Sequence, residues 1–424
     1  MVAAVEGLAS RLVEELAGRY TQHRRVLRLS TPAGDDVLLA ESLRGEEGID
    51  AGFRFQVAAL ALDDGISLRK LIGQQVLLEL QTAGPSGRPR RIHGHATAVE
   101  LAGANGGLAR YLLTIEPWTA FLALGRDSRV FQDRTVFDIL DTVFRAYDGK
   151  GQLAPAWRFD IRDRSLYPLR SLTTQYQESD LAFATRLMHE EGLFYFFEHG
   201  QDCHTLVIAD HNDAFLPNAQ ADVRFTQPGT VMREDSLDRW RSELRLQTNA
   251  IDMTSWDYRA RTRRDVTSGA GDGDILASRD APGAYAYASM AQGQRMADNL
   301  QQGLQARQEV FVGAGTVRTF VPGTTFTLHD HALHDGGDAS RFLILRVCHL
   351  AHNNLSADTG AALTRLLGTC NLATSNDADL ASSLHAAGRG IGERPVYRNR
   401  IDAMRGSVAY RPDGAVLHPR PVVR

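Results

Sequence analysis

The chain has 424 residues, enough for two or three domains at roughly 100–200 residues each. Hydrophobic content of 43% and charged content of 23% are ordinary for a soluble globular protein, and a net charge of −4 argues against a broad nucleic-acid surface while leaving room for a local basic patch. Cys203, Cys348 and Cys370 are widely spaced and form no CxxC, which points to reduced structural thiols and fits a cytoplasmic assembly site.

No stretch is long and apolar enough for a transmembrane span. Residues 1–20 do not read as a secretory signal, because Glu6, Arg11, Glu14 and Glu15 interrupt any apolar core. Val5, Leu8, Leu12, Val13 and Leu16 recur at helical spacing. Residues 1–23 are therefore expected to form an amphipathic helix laid on the body or frayed from it, the alternative being a handle for an adaptor.

Residues 24–116 read as antiparallel β. Phe53, Phe55 and Val57 alternate with Arg54 and Gln56, and Val76, Leu78 and Leu80, then Thr97, Val99 and Leu101, then Tyr111, Leu113 and Ile115 repeat at period two. Short strands separated by glycine-rich turns predict a small barrel or sandwich. Residues 117–227 are mixed α/β. Thr135 and Asp138 resemble a capping box ahead of an amphipathic helix that stops at Gly149. Residues 170–199 then read as strand, helix, glycine stop and strand. Ser179 is the predicted N-cap, with Asp180 in the first turn. Leu181, Phe183, Ala184, Leu187 and Met188 form the apolar face, Arg186 and His189 the other. Gly192 takes the C-cap position, before the aromatic strand Leu193–Phe197.

Strand patterning returns over 228–258 and 308–370, which are assigned to one discontinuous second β domain. Residues 259–307 between them read as a loop-and-helix insertion, the loop being Gly-, Asp- and Ser-rich Thr267–Asp280. Residues 370–395 lose periodicity, the end from Tyr397 to Arg424 carries Pro412, Pro419 and Pro421, and 371–424 read as a linker and extended tail.

Reaction chemistry is hard to find. His329, His331 and His334 lie close together but read as exposed loop histidines, without HExxH. His93 and His95 share a strand face with no third ligand indicated, and read as strand-surface residues. The carboxylate pairs Asp160/Asp163, Glu190/Glu191 and Asp35/Asp36 read as solvated charges. GxSxG and the phosphate loop are absent, and Arg261–Arg264 reads as a solvated basic turn. No catalytic, cofactor or metal residue is assigned.

The wording of these segments is more specific than their periodicity. Gln175–Phe197, QYQESDLAFATRLMHEEGLFYFF, closely resembles the signature of the VgrG family, the trimeric spikes of the type VI secretion system. Glu116-Pro117-Trp118, the run Asp127–Asp133, Ser255–Tyr258, Pro322-Gly323-Thr324 and Tyr410-Arg411-Pro412 match in the same order, so that the resemblance spans residues 24–424. The residues that carry it are Trp118, Asp127, Phe131, Tyr176, Glu178, Ser179, Asp180, Phe183, Arg186, Leu187, Glu191, Gly192, Phe194 and Tyr195, all in scaffold roles.

The resemblance implies an α+β, β-rich fold like a phage tail hub: two small antiparallel β-barrels with mixed α/β segments packed outside. It implies a homotrimer that caps the hexameric tube protein Hcp and delivers effectors, with effectors or adaptors as partners and neither nucleic acid nor stable membrane insertion. Such a protein is assembled in the bacterial cytoplasm and secreted towards a target cell. The family usually continues into a further barrel and a β-helical needle, of which this chain is expected to stop short. The rival readings are a contractile-tail phage baseplate hub and a tail-associated peptidoglycan hydrolase.

Overall fold

A computed structural model describes residues 22, 25–83, 87–105, 107–227, 234–269, 276–284, 286–287, 289–370, 372 and 396–413. The helix expected over 1–23 and most of the linker expected over 371–395 lie outside the described residues.

The chain begins with β1 (Leu27–Ser30), β2 (Leu39–Gly48), β3 (Gly52–Ala61), the single helical turn α1 (Leu68–Leu71), β4 (Gln75–Leu80), β5 (Arg90–Asn105) and β6 (Leu108–Glu116). Their antiparallel ladder runs β1-β4-β5-β6-β3-β2. Phe55, Val57, Leu78, Tyr111 and Ile115 are inward-facing and fully buried, as their period-two spacing predicts. Val99, opposite Leu113, packs half-buried against the same core and Thr97 is half-buried, while Leu101 further along β5 is 40% exposed.

The mixed region holds β7 (Arg126–Arg134), α2 (Val136–Arg145), β8 (Trp157–Asp160), β9 (Arg170–Ser179), α3 (Asp180–Glu190), β10 (Phe194–His199) and β11 (His204–Ala209). Thr135 and Asp138 cap α2 reciprocally, and its face of Val136, Ile139, Leu140, Val143 and Phe144 joins the core of the first strands. β7 pairs with β9, and β8, β11 and β10 make a second small sheet.

The rest comprises β12 (Leu216–Arg224), β13 (Leu237–Leu244), β14 (Ala250–Asp257), β15 (Thr262–Gly269), β16 (Ala277–Ala284), α4 (Met290–Gln305), β17 (Glu309–Gly315), β18 (Thr324–His329), β19 (Arg341–His352), α5 (Ala357–Leu367) and β20 (Tyr397–Arg405). Six of these strands form a second ladder, β12-β18-β19-β20-β17-β13, around Phe311, Phe320, Phe326, Phe342 and Ile401. β19 is long enough to serve both halves. Its first residues pair with β18, and further along the same side Arg346–His352 pair antiparallel with Ser42–Gly48 of β2. The two sets are thereby one twelve-stranded sheet.

Neither set closes as a barrel among the described residues, although the ends of each return to one another. Between β1 and β2 the gap is spanned by a side chain. Asn353 Nδ2 donates to the carbonyls of Leu27 (3.0 Å) and Ala40 (2.7 Å), and its Oδ1 accepts from the amide of Val26 at 3.0 Å. In the second set a lone parallel bridge, Phe225 to Leu237, does the same work, with Thr226 N–H donating to the Leu237 carbonyl at 2.8 Å. The expected pair of separate barrels is thus two curled halves of one open sheet.

Three further expectations differ from the structure. β13 pairs with β17, but β14 turns away and pairs with β15 and β16 instead. This three-stranded sheet and α4 enclose their own small core of Ile251, Met253, Val266, Tyr287 and Ala297, so the inserted unit begins near residue 250 and contains strands where a loop was expected. Of the expected loop, Thr267–Gly269 close β15 and residues 277–280 open β16, while residues 270–275 lie outside the described residues. Residues 397–405, expected in an extended tail, form β20, a central strand between β19 and β17. α5, expected with the second β domain, packs Leu363 and Leu366 on Leu60 and Leu108 of the first half.

Candidate functional site

The residues that carry the family resemblance converge on α3. Ser179 caps the helix, its Oγ accepting from Ala182 N–H at 3.2 Å. Asp180 is buried. It takes the guanidinium of Arg129, the amide of Gln175 (2.7 Å) and the hydroxyl of Tyr147 (2.8 Å). Arg186, expected on the polar face, is buried as well, because β9 covers that face. It donates to Glu178 at 2.6 Å, to Glu190 at 3.1 Å and to the Thr174 carbonyl at 3.2 Å. Burial pushes the Glu190 carboxyl up, but Arg170 and Arg186 outweigh it and hold it below the usual range. Phe183 stacks on Phe131, and Leu187 is fully buried.

The end of α3 reaches the inserted unit. Glu191 pairs with Arg295 of α4 at 2.6 Å, and its carbonyl accepts from Arg295 (3.0 Å) and Asn299 (3.3 Å). Gly192 turns the chain at φ +74°. Phe194 then packs on Phe215 and Tyr410, while Tyr195 binds the β2–β3 turn, its backbone N–H and its hydroxyl both 2.9 Å from Asp50 oxygens. Trp118 lies in the first core against Phe144 and Trp157. Asp127 and Tyr176 are exposed, on the β7–β9 ladder. The constellation ties four parts of the fold together, and every carboxylate at its centre is engaged by arginine.

Sequence reading missed two buried polar clusters. His93 and His95, expected at the strand surface, are 5% and 1% exposed, because β10 and β11 lie over that face of β5. The backbone N–H of Trp118 donates to His204 Nε2 at 2.9 Å, so His204 carries its proton on Nδ1 and donates it to His93 Nδ1, also 2.9 Å away. His199 Nδ1 stands 3.2 Å from the His93 backbone. Burial holds all four imidazoles below their ordinary range, His95 and His199 at about 4. Among the described residues no group of three or more His, Cys, Asp or Glu could hold a metal ion.

The second cluster sits where the halves join. Arg90 of β5 pairs with Glu47 of β2, both about 5% exposed. His349 of β19 lies 2.9 Å from Glu47 and 2.7 Å from the Tyr397 hydroxyl of β20. Burial pushes the Glu47 carboxyl up, but Arg90 and His349 together bring it down to about 2. Burial and then Arg90 lower His349 to about 4. Breaking such a pair strands a buried charge, at a cost of about 3–5 kcal/mol. No local signal could have found it, since its members are scattered from residue 47 to residue 397.

The other candidates are placed as follows. His329 meets Asp222 at 2.9 Å, and His331 stacks on His334, which packs against Phe311 and Phe342. Asp160 binds Arg158 and Asp163 caps a short turn at Ser165. A cleft of about 930 Å³ lies between the halves, walled by Arg91, Phe196, His199, Asn218 and Val321, with neither Ser nor Cys among its lining residues. The ion pairs and caps among them hold parts together, the Ser165 hydroxyl donating to its capping Asp163 at 2.7 Å.

A family model described as phage tail baseplate hub (GPD) matches residues 46–355. The chain belongs to the phage tail baseplate hub family. This hub chain is 28% identical over 322 residues to the type VI secretion system spike protein VgrG1a of Pseudomonas aeruginosa, covering 74% of itself and 48% of that protein. It is 33% identical over 232 residues to VgrG5 of the same organism, covering 55% of itself and 28% of the relative. It therefore spans less than half the length of these relatives. Among solved structures, a type VI secretion component of Escherichia coli superposes with a TM-score of 0.62 at 17% identity, over 94% of this chain and 81% of the other. A 43 kDa tail protein of a Shewanella oneidensis prophage gives 0.56 at 11% identity, over 91% and 99%. At these identities the likeness is one of fold.

Proposed function

We propose that this chain is the hub part of a type VI secretion spike and works mechanically. Three copies close into a ring, cap the hexameric tube protein Hcp and travel with the tube, carrying effectors or adaptors towards the target cell after assembly in the bacterial cytoplasm. The observation that carries this reading is the two six-stranded halves in one chain. A contact that closes at three subunits then offers six similar units, which suits a sixfold tube. The residues around α3, from Trp118 to Tyr195, serve as scaffold. No reaction step is assigned, because their carboxylates are taken up by arginines and caps. The test is to mix the chain with purified Hcp and weigh the complex by light scattering after size exclusion. A complex of three chains with six tube subunits is expected; two separate peaks at micromolar concentration would count against the reading.

A contractile-tail baseplate hub of a phage is the second reading. It is favoured by the prophage tail protein, 99% of which this chain covers. Exchanging Hcp for a phage tube protein in the same mixture separates the two.

A further inference from the structure

The sheet of the inserted unit buries one face and leaves the other to solvent. Ile251, Met253 and Val266 pack with Tyr287 and Ala297. The alternate positions Asp252, Thr254 and Trp256 face the other way, paired with Thr267, Asp265 and Arg263. In this polar setting Trp256 is 50% exposed, and Tyr258 just beyond is 54% exposed. Arg259, Arg261 and Arg263 follow, all exposed. One turn thus gathers Trp, Tyr and Arg, the residue types that dominate binding energy at protein interfaces.

The turn is built to hold them. Asp257 is buried and accepts from the backbone N–H groups of Arg259 (2.9 Å) and Ala260 (3.0 Å). It also takes Arg264, which donates to the Tyr287 carbonyl at 2.8 Å, while the Tyr287 hydroxyl donates to the Arg264 carbonyl at 2.6 Å. Arg261 sits at φ +52°, the left-handed region that glycine fills at least cost.

We propose that this tip docks a partner protein that presents carboxylates around a pocket for the Trp256 indole. The charge of the turn calls for an acidic partner. A nucleic acid repeats its phosphates along a backbone and needs an extended basic stripe. Here the basic patch is a single turn: Arg263 is held by Asp265 at 2.7 Å and Asp252 by Arg279 at 3.3 Å on the same face, which leaves the excess positive charge on Arg259 and Arg261 beside Trp256. A protein needs only one aromatic anchor with a charged rim. The proposal stands apart from the hub reading, since a phage hub would carry the same tip.

The probe is a short fluorescein-labelled peptide rich in glutamate with one leucine, titrated with the full chain and followed by anisotropy. Binding is expected, weaker at higher salt because the rim charges are screened. Trp256→Ala should weaken it about tenfold or more, as for an interface hot spot. Arg261→Gly should weaken it severalfold while the melting temperature stays level or rises, a combination that a merely structural role for Arg261 would not produce. Four outcomes would overturn the proposal: no binding at millimolar peptide, unchanged binding by both variants, tighter binding of single-stranded DNA of equal charge, or variants that alter only the mass of the chain's own oligomer.

Discussion

Gly192 and Asn353 show how single residues hold this fold. At Gly192 a side chain meets two obstacles: a φ of +74°, which costs a residue with a Cβ about 1–2 kcal/mol, and the Asn299 amide, 2.2 Å from where the Cβ would sit. Gly192→Val should lower the melting temperature or the soluble yield, and an unchanged melting curve would place the end of α3 elsewhere. Asn353 bonds both edges of the first half across the gap between β1 and β2. Asn353→Leu keeps the bulk and leaves buried backbone groups unpaired, so stability should fall by about 2 kcal/mol or more. Hydrogen exchange gives the specific readout: the amide of Val26 should lose protection before those of β5 and β6. The Gly192 role is legible in the sequence, because a glycine after a capped amphipathic helix has a local meaning. The Asn353 role is not, since its partners lie more than 300 residues earlier.

At the scale of elements, histidines join β5 to the β10–β11 hairpin. His95 and His199 titrate near 4 in the folded protein, against 6.5 when exposed. Between those values the unfolded chain binds more protons, so stability rises with pH and is lost as pH falls from 6.5 towards 4. Each such proton tilts stability by about 1.4 kcal/mol per pH unit. Glu47 adds to the loss at lower pH, since its folded value of about 2 lies under its ordinary 4.5 and its contribution fades below 4.5. Melting curves from pH 7.5 to 4.5 should show a falling midpoint that begins near 6.5, and His95→Gln should flatten the slope; a flat wild-type profile would show that these histidines are solvated. β20 makes a related point. Tyr397, Ile401, Ala403 and Met404 are buried, yet Arg398, Arg400, Asp402 and Arg405 give the segment the look of a polar tail. Arg398 is itself buried and bound to Asp238 at 2.9 Å. Ending the chain at residue 395 should abolish soluble expression, whereas ending it at 413 should not; a soluble, cooperatively melting chain that ends at 395 would refute the central position of β20.

For the whole molecule, the β-rich class, the two strand regions and the mixed segment between them follow from periodicity, and the hub fold follows from the wording of the α3 block. Their union does not, because β2 and β19 are 300 residues apart and neither strand's pattern names its neighbour. That union bears on the assembly. In the proposed ring, both halves lying in one continuous sheet would set the spacing of two units inside each chain, and only the contact between chains would remain to be made. A permanent contact of this kind commonly buries about 2,000 Å² or more and is relatively apolar. It should therefore survive moderate salt, which screens surface charges but not apolar burial. The competing idea is that a needle of the kind the VgrG resemblance implies would wind three chains together and supply most of the association energy. Light scattering after size exclusion, run over a range of protein concentrations, separates the two. A mass near three times the 46.6 kDa chain at every concentration is expected if the hub carries its own interface. A steady monomer would assign the association to the needle and leave the family membership intact, because that rests on the match over residues 46–355 and not on the oligomer.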